Sequence, residues 1–119
     1  MALFMVEKLV EGVTVLDLRG RLVLGEETEA LRERVKRLVA GGRTRIVFNL
    51  EELSYMDSSG LSTLISSFVS VRNQGGELKL LRLTKRVSDL MQITKLSTVF
   101  EIYDTMEDVQ RSFSKPAGV

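Results

Sequence analysis

The beginning of the chain alternates apolar with polar residues and predicts a β-hairpin. Residues 4–10 and 13–19 both show this alternation, which is typical of strands that bury one face. The two runs meet at Glu11-Gly12, where glycine can adopt the positive φ that a two-residue hairpin turn requires. After Gly20 we expect a short third extended piece over residues 22–24.

Four later segments have helical patterns. In residues 26–40 the apolar residues fall on one stripe, acidic residues stand at the start and a glycine pair follows the end, as expected for a capped helix. Further helices are predicted over residues 58–73 and 84–94. A final helix is predicted to begin at Thr105, where Asp108 follows three residues later as in a weak capping box.

Strand patterns separate these helices. Residues 45–50, "RIVFNL", are almost continuously apolar, which is typical of a strand buried on both faces at the centre of a sheet. Residues 77–83 and 98–103 predict two more strands, and residues 51–57 predict a loop. The pattern indicates an α/β fold, a mixed sheet of about four to five strands with about four helices and right-handed parallel crossovers.

The length of 119 residues suits a single hydrophobic core. We expect one domain over residues 1–113 and a flexible C-terminal tail over residues 114–119, which are polar and contain Pro116. Chain ends of this composition are usually frayed.

Composition excludes several classes of function. Seventeen basic residues against sixteen acidic ones give a formal charge of +1, and their scattered placement predicts no direct nucleic acid binding. Cysteine and histidine are absent, which excludes disulfides, thiolate or imidazole metal sites and a Ser-His-Asp triad. No apolar run reaches the length of a membrane span, so we expect a cytoplasmic protein without membrane insertion, metal or cofactor.

The stretch "SYMDSSGL", residues 54–61, allows two interpretations. Asp57 or Ser58 can simply cap the following helix by accepting hydrogen bonds from its first N–H groups. The positive end of the same helix also stabilises an anion, so a serine there can carry a phosphoryl group without unfolding the helix. Gly60 costs stability early in a helix and indicates a close approach or space for something else.

The helix after this stretch has an unusual polar face. It carries no charge between Ser58 and Val71, and its polar positions are small hydroxyls, whereas an exposed helix usually carries Lys and Glu. Such a face suits a protein partner, unless it is covered by neighbouring elements of the same chain. The hydroxyl positions are Ser59, Ser62, Thr63, Ser66, Ser67 and Ser70.

Residues 48–65, "FNLEELSYMDSSGLSTLI", resemble the STAS domain family of bacterial anti-sigma factor antagonists, in which a buried strand and short loop lead to a D-S-S-G-L helix start. The likeness extends to "LDLRGRL", "NQGGELKLLRL" and "VSDLMQITKLSTVFEIYDT". Because these segments occur in the family's order and spacing, the resemblance covers nearly the whole chain.

The resemblance implies a phosphorylation switch. A partner that is both an anti-sigma factor and an ATP-dependent serine kinase would phosphorylate Ser58, with Ser59 as the fallback acceptor, and a phosphatase would reset the cycle. The unmodified form would bind that kinase and release the sigma factor, while ATP and magnesium would belong to the kinase. The expected contact residues are Tyr55, Met56, Asp57, Ser58, Ser59, Gly60, Ser62, Thr63 and Ser66.

One segment departs from the family pattern and leaves the partner open. The family often reads G-E-L-D after the second strand, whereas this chain reads "GRLVLGEET" with Arg21 and Val23. Since that edge commonly faces the partner, an orphan or non-sigma member is an alternative. The second function considered is a STAS subunit that docks in a phospholipid transport complex or a sensory assembly.

An enzyme is the third alternative. Glycine-rich phosphate loops are missing from the sequence, and a serine nucleophile would lack an imidazole base. Lys79, Lys85 and Lys95 lie in polar sequence contexts, so we do not expect any of them to serve as a buried base. The sequence therefore predicts a binding module without catalytic residues.

Overall fold

The computed structural model describes residues 2–114. Its strands are β1 (Leu3–Val10), β2 (Val13–Leu22), β3 (Arg45–Asn49), β4 (Leu53–Met56), β5 (Glu77–Leu81) and β6 (Ile102–Tyr103). Its helices are α1 (Glu26–Ala40), α2 (Ser58–Asn73), α3 (Lys85–Ile93) and α4 (Met106–Ser114), with a 3-10 turn at Leu96–Thr98. Ser114 thus ends α4 instead of beginning a tail, and residues 115–119 of the predicted tail lie outside the described residues.

The predicted mixed α/β fold is confirmed. The sheet runs β1-β2-β3-β5-β6, with β4 pairing the far half of β2, so it has six strands instead of four to five. Only β1 and β2 are antiparallel, and their turn at Glu11-Gly12 has positive φ at both residues. The apolar strand β3 lies at the centre of the path, as predicted.

Strand β4 was not predicted, because its four residues were assigned to a loop. β2 is longer than expected and pairs parallel with β3 through Thr14–Asp17 and then with β4 through Gly20–Leu22, across a shift in register at Gly20. The predicted extended piece over residues 22–24 is therefore wrong, since Leu22 is the last residue of β2. This arrangement leads the chain directly from the sheet edge into α2.

Helices cover the two faces of the sheet unequally. Alternate residues of β3 divide between two apolar clusters, with Ile46 and Phe48 in the larger cluster beneath α1, α2 and α3. Val47 lies in the smaller cluster with Val109 and Phe113 of α4. The site-bearing helix α2 and the C-terminal helix α4 thus pack on separate cores.

The end of the chain differs in detail from the prediction. The strand expected over residues 98–103 is reduced to β6, because the preceding residues form the 3-10 turn and Phe100 turns into the core. There its ring packs edge-on against Phe68 of α2, with centroids 5.2 Å apart. The predicted cap of α4 is confirmed, since the Asp108 N–H donates to Thr105 Oγ1 at 3.1 Å. No helix of the described residues is long and apolar enough to cross a membrane.

Lys79 is buried, contrary to its polar sequence context. Only 3% of its side chain is exposed, and Nζ lies 3.5 Å from Glu101 Oε1. Nζ also donates to Ser112 Oγ at 2.8 Å and lies 4.3 Å from the centroid of the Phe113 ring. Burial of an ammonium group requires such partners, so Lys79 joins β5 to α4 on the face away from α2.

Two substitutions of Lys79 separate its charge from its volume. Lys79→Ala should lower the free energy of unfolding by about 2 to 4 kcal/mol, because it leaves a cavity under α4. Lys79→Met should cost less than about 1.5 kcal/mol, because it keeps the volume and Ser112 Oγ still donates to the Val109 carbonyl. Urea denaturation measures both, and equal losses would mean that the ammonium contacts outweigh packing.

Candidate functional site

Asp57 fixes the start of α2. It is the N-cap residue with extended backbone, and its Oδ1 accepts a hydrogen bond from the Gly60 N–H at 2.8 Å. Its second oxygen, Oδ2, accepts from the Leu24 N–H at 3.1 Å. One carboxylate therefore joins the helix start to the loop between β2 and α1, which is more than capping requires.

The same hydrogen bonds stabilise the ionised form of Asp57. The Gly60 N–H is the main cause that lowers the pKa of this carboxyl below its ordinary value; burial opposes the shift, and the Leu24 N–H adds to it. A carboxylate that accepts backbone N–H groups is favoured over the protonated acid. Asp57 is thus a fixed negative charge with both oxygens occupied by backbone donors.

Gly60 is explained by a close approach. A methyl group on its Cα would overlap the carbonyl oxygen of Leu22 and lie 2.7 Å from Met56 Cγ. The absence of a side chain lets α2 pack directly on the ends of β2 and β4. This contact, and not space for a ligand, accounts for the glycine that the sequence singled out.

Ser58 is exposed as the first residue of α2. Within residues 2–114 its hydroxyl makes no hydrogen bond with the protein, since the capping contacts come from Asp57. The following residue, Ser59, is half-buried, and its carbonyl accepts from Thr63 Oγ1 at 2.9 Å. The geometry therefore distinguishes the two serines, with Ser58 the more accessible acceptor.

The hydroxyl residues of α2 divide between two faces. Ser58, Ser62 and Ser66 are exposed at successive helical turns. Thr63 and Ser67 are buried, and Ser67 Oγ donates to the Thr63 carbonyl at 2.7 Å. The interpretation that neighbours in the chain cover this face is therefore right for one side of α2 and wrong for the other.

Three of the predicted contact residues lie below the surface. Met56, Gly60 and Thr63 are buried, because Met56 packs in the larger core and Gly60 contacts Leu22. The side chains of Met56 and Thr63 and the backbone of Gly60 support the surface from below. Tyr55, Asp57 and Ser59 are half-buried, and Ser58, Ser62 and Ser66 are exposed, so these six residues form the accessible part of the predicted surface.

Arg21, which the sequence placed on a partner-facing edge, lies at the Tyr55 ring together with Arg86, and sequence reasoning missed Arg86, Leu24 and Ile93. The guanidinium carbons of Arg21 and Arg86 lie 5.1 Å and 5.5 Å from the centroid of the Tyr55 ring. Leu24, bound to Asp57 through its N–H, is 73% exposed, and Ile93 on α3 is 80% exposed. A helical pattern with isolated apolar residues did not indicate that α3 borders β4.

The lysines and carboxylates of the described residues are engaged in structural contacts or lie exposed. Within residues 2–114 no cluster of carboxylates is arranged to hold a metal ion. Lys79, the buried lysine, contacts Phe113 beneath α4, while Lys85 is exposed and pairs with Asp89.

Comparisons with known proteins find a family match over most of the chain. The family model described as STAS domain matches residues 6–109. The Anti-sigma-B factor antagonist of Bacillus subtilis is 43% identical over 53 residues, which are 44% of this chain and 49% of that protein. The matching part of the chain thus spans about half the length of this curated relative.

Solved structures share the fold. An anti-sigma factor antagonist from Mycobacterium paratuberculosis superposes with a TM-score of 0.80 at 19% identity, over 95% of each chain. SpoIIAA, an anti-sigma factor antagonist, matches in its unphosphorylated form with a TM-score of 0.77 at 23% identity, over 95% of this chain and 99% of that one. Its phosphorylated form matches with a TM-score of 0.71 at 24% identity, over 94% and 99%.

Asp57 should make stability depend on pH. Because its folded pKa is lowered, the stabilisation is complete above the unfolded pKa and is lost as the pH falls through the folded pKa, below about pH 4. Asp57→Asn should therefore be less stable than wild type at neutral pH, with the difference shrinking at lower pH. Thermal denaturation at several pH values measures this, and a constant difference would contradict it.

Gly60→Ala should destabilise the fold by about 1 to 3 kcal/mol, because the added methyl overlaps Leu22 and Met56. Ser62→Ala, two residues further along the same helix and exposed, is the control and should change stability by less than about 0.5 kcal/mol. Urea denaturation measures both free energies of unfolding. An unchanged free energy of unfolding in Gly60→Ala would mean that α2 can move away from β2 without loss of stability.

Proposed function

The chain belongs to the STAS domain family, and we propose that it is an anti-sigma factor antagonist controlled by phosphorylation of Ser58. In its unmodified form it binds an anti-sigma factor that is also a serine kinase and so releases the sigma factor. The chain itself catalyses no reaction and requires no cofactor. Its place of action is the cytoplasm, where transcription occurs.

The observation that carries this proposal is the accessible Ser58 hydroxyl at a helix start that is held by another residue. Because Asp57 supplies the cap, replacement of the Ser58 hydroxyl proton by a phosphoryl group breaks no hydrogen bond that holds α2. In the transfer, Ser58 Oγ forms a bond to the γ-phosphorus of ATP and the bond from that phosphorus to ADP breaks. The hydroxyl proton passes to a base of the kinase.

The consequence of phosphorylation is electrostatic. A phosphate adds about −1.5 to −2 charges beside Asp57, which is already ionised and has both oxygens engaged by backbone N–H groups. A partner that covers Ser58 would have to desolvate both anionic groups. The modification thus weakens docking. The positive end of the helix dipole stabilises the added charge, so the fold is kept. A phosphatase that hydrolyses the ester restores docking.

Three comparisons support this function over the alternative. The relative from Bacillus subtilis is an anti-sigma-B factor antagonist, and SpoIIAA has been solved with and without phosphate. The accessible surface of α2 would also suit a subunit that docks in a phospholipid transport complex or a sensory assembly. That alternative requires binding but no phosphate on Ser58.

Mass spectrometry after incubation with each anti-sigma kinase of the source genome, ATP and Mg²⁺ tests the proposal. One kinase should add one phosphate to Ser58.

Three variants separate the two serines. Ser58→Ala should abolish phosphorylation and keep binding. Ser58→Asp should weaken binding about tenfold or more by placing a charge in the contact. Ser59→Ala should still be phosphorylated. Phosphate on neither serine would favour the docking alternative, and equal affinities of the Ala and Asp variants would contradict the switch.

The extent of the docking surface is mapped with the same kinase. Ser62→Glu should weaken binding without lowering the melting temperature, because Ser62 is exposed one turn after Ser58. Thr44→Glu is the matched control, since Thr44 is exposed next to β3 at the opposite end of the parallel strands. Equal binding by both variants would exclude the middle of α2 from the interface.

A further inference from the structure

Tyr55 brings together two arginines from distant parts of the chain. Arg21 lies opposite Tyr55 in the parallel pairing of β2 and β4, and Arg86 lies in the first turn of α3. Both guanidinium groups are within the distance at which cations are attracted to an aromatic ring. We call Arg21, Tyr55 and Arg86 the arginine–tyrosine surface.

This surface has no carboxylate of its own to neutralise it. Within the part of the chain that the structure describes, neither Arg21 nor Arg86 forms an ion pair. The nearby acidic groups are engaged elsewhere: Asp57 by backbone N–H groups, and Asp89 by Lys85 at 2.9 Å. Two guanidinium groups held on one ring are thereby ordered for an anion, and guanidinium groups prefer carboxylates or phosphates in a planar, bidentate geometry.

A groove with apolar and charged walls continues from the surface. It lies between β4 and α3 and has a volume of about 630 Å³. Its lining combines the charged residues Lys85, Arg86 and Asp89 with Tyr55, Met56, Leu90 and Ile93, and the Asp89 carboxylate is paired with Lys85. Ile93 is 80% exposed. The combination of cationic and apolar groups along one open groove suits an extended protein segment better than a small anion.

We propose that the arginine–tyrosine surface and this groove bind an acidic segment of the partner, in which carboxylates flank an apolar side chain. The carboxylates contact Arg21 and Arg86, and the apolar side chain packs on Ile93 and Leu90. Tyr55 precedes Ser58 by three residues, so this inference extends the proposed docking site and rests on it for the identity of the partner. It makes Arg21 and Arg86 determinants of partner specificity.

The same charges determine whether phosphorylation strengthens or weakens partner binding. An acidic segment is attracted by the two arginines, and it is repelled by a phosphate placed on the neighbouring serine. Both effects act on the same partner group. Attraction before phosphorylation and repulsion after it would change the affinity for the partner by more than crowding by the phosphate alone.

The surface is tested first without a kinase. The probes are a synthetic peptide of glutamate pairs separated by single leucines and a matched peptide with lysine in place of glutamate. In amide NMR spectra of the full chain, the acidic peptide should shift the signals of Tyr55, Arg86 and Ile93, and the basic peptide should not.

Two double variants test which arginines are responsible. The shifts should disappear in Arg21→Glu/Arg86→Glu and persist in Arg43→Glu/Arg45→Glu. The second variant is a control with the same charge change at exposed positions near the start of β3. Equal shifts with both peptides, or shifts that survive Arg21→Glu/Arg86→Glu, would overturn the inference.

The second arm uses a kinase that phosphorylates Ser58. Arg21→Glu/Arg86→Glu should lower kcat/KM for phosphorylation about tenfold or more and flatten its dependence on salt, because attraction between complementary charges speeds association. The Arg43→Glu/Arg45→Glu control should change kcat/KM by less than about twofold. Equal effects of the two double variants would overturn the inference. If no kinase acts on Ser58, the proposed function fails, while the peptide measurement still decides whether the surface binds acidic segments.

Discussion

The carboxylate of Asp57 is the interaction on which the site depends. It receives one backbone N–H from the first turn of α2 and another from the β2–α1 loop, so it orients two segments that are separated by more than thirty residues. A serine cap would reach only the helix. Because Asp57 makes both contacts, the hydroxyl of Ser58 is not needed to hold either segment and is available for modification.

Close packing beneath the site supports the same division of roles. Gly60 lets the helix backbone rest on Leu22, while Met56 and Thr63 fill the space below. The residues of "SYMDSSGL" therefore include both buried supporting residues and accessible ones, from the end of β4 to the first turn of α2. Met56 and Gly60 are buried, and their neighbours Tyr55 and Ser58 face outward. The buried residues thus hold the accessible ones in place, and no mobile loop is required.

Sequence reasoning predicted the elements whose pattern is local. The hairpin, the central strand β3 and the bounds of α2 follow from alternation, a continuous apolar run and a charge-free helical stretch. β4 was missed because its four residues are flanked by acidic residues and are too few to show a period. The burial of Lys79 was missed because a charged residue is normally exposed, and only the packing of α4 supplies its partners. Contact between Arg86 and Tyr55 depends on where α3 lies against β4, which no local pattern encodes.

The two separate cores explain how a charge at Ser58 can act locally. α2 packs on the larger cluster and α4 on the smaller one, with β3 contributing alternate side chains to each. Ser58 belongs to neither cluster, and the Gly60 N–H of the first turn is already bonded to Asp57. A change in partner affinity therefore does not require a change in fold. In the proposed switch, the free energy resides in the charges that meet a partner at the surface. On that proposal, Arg21 and Arg86 are among the charges that select the partner.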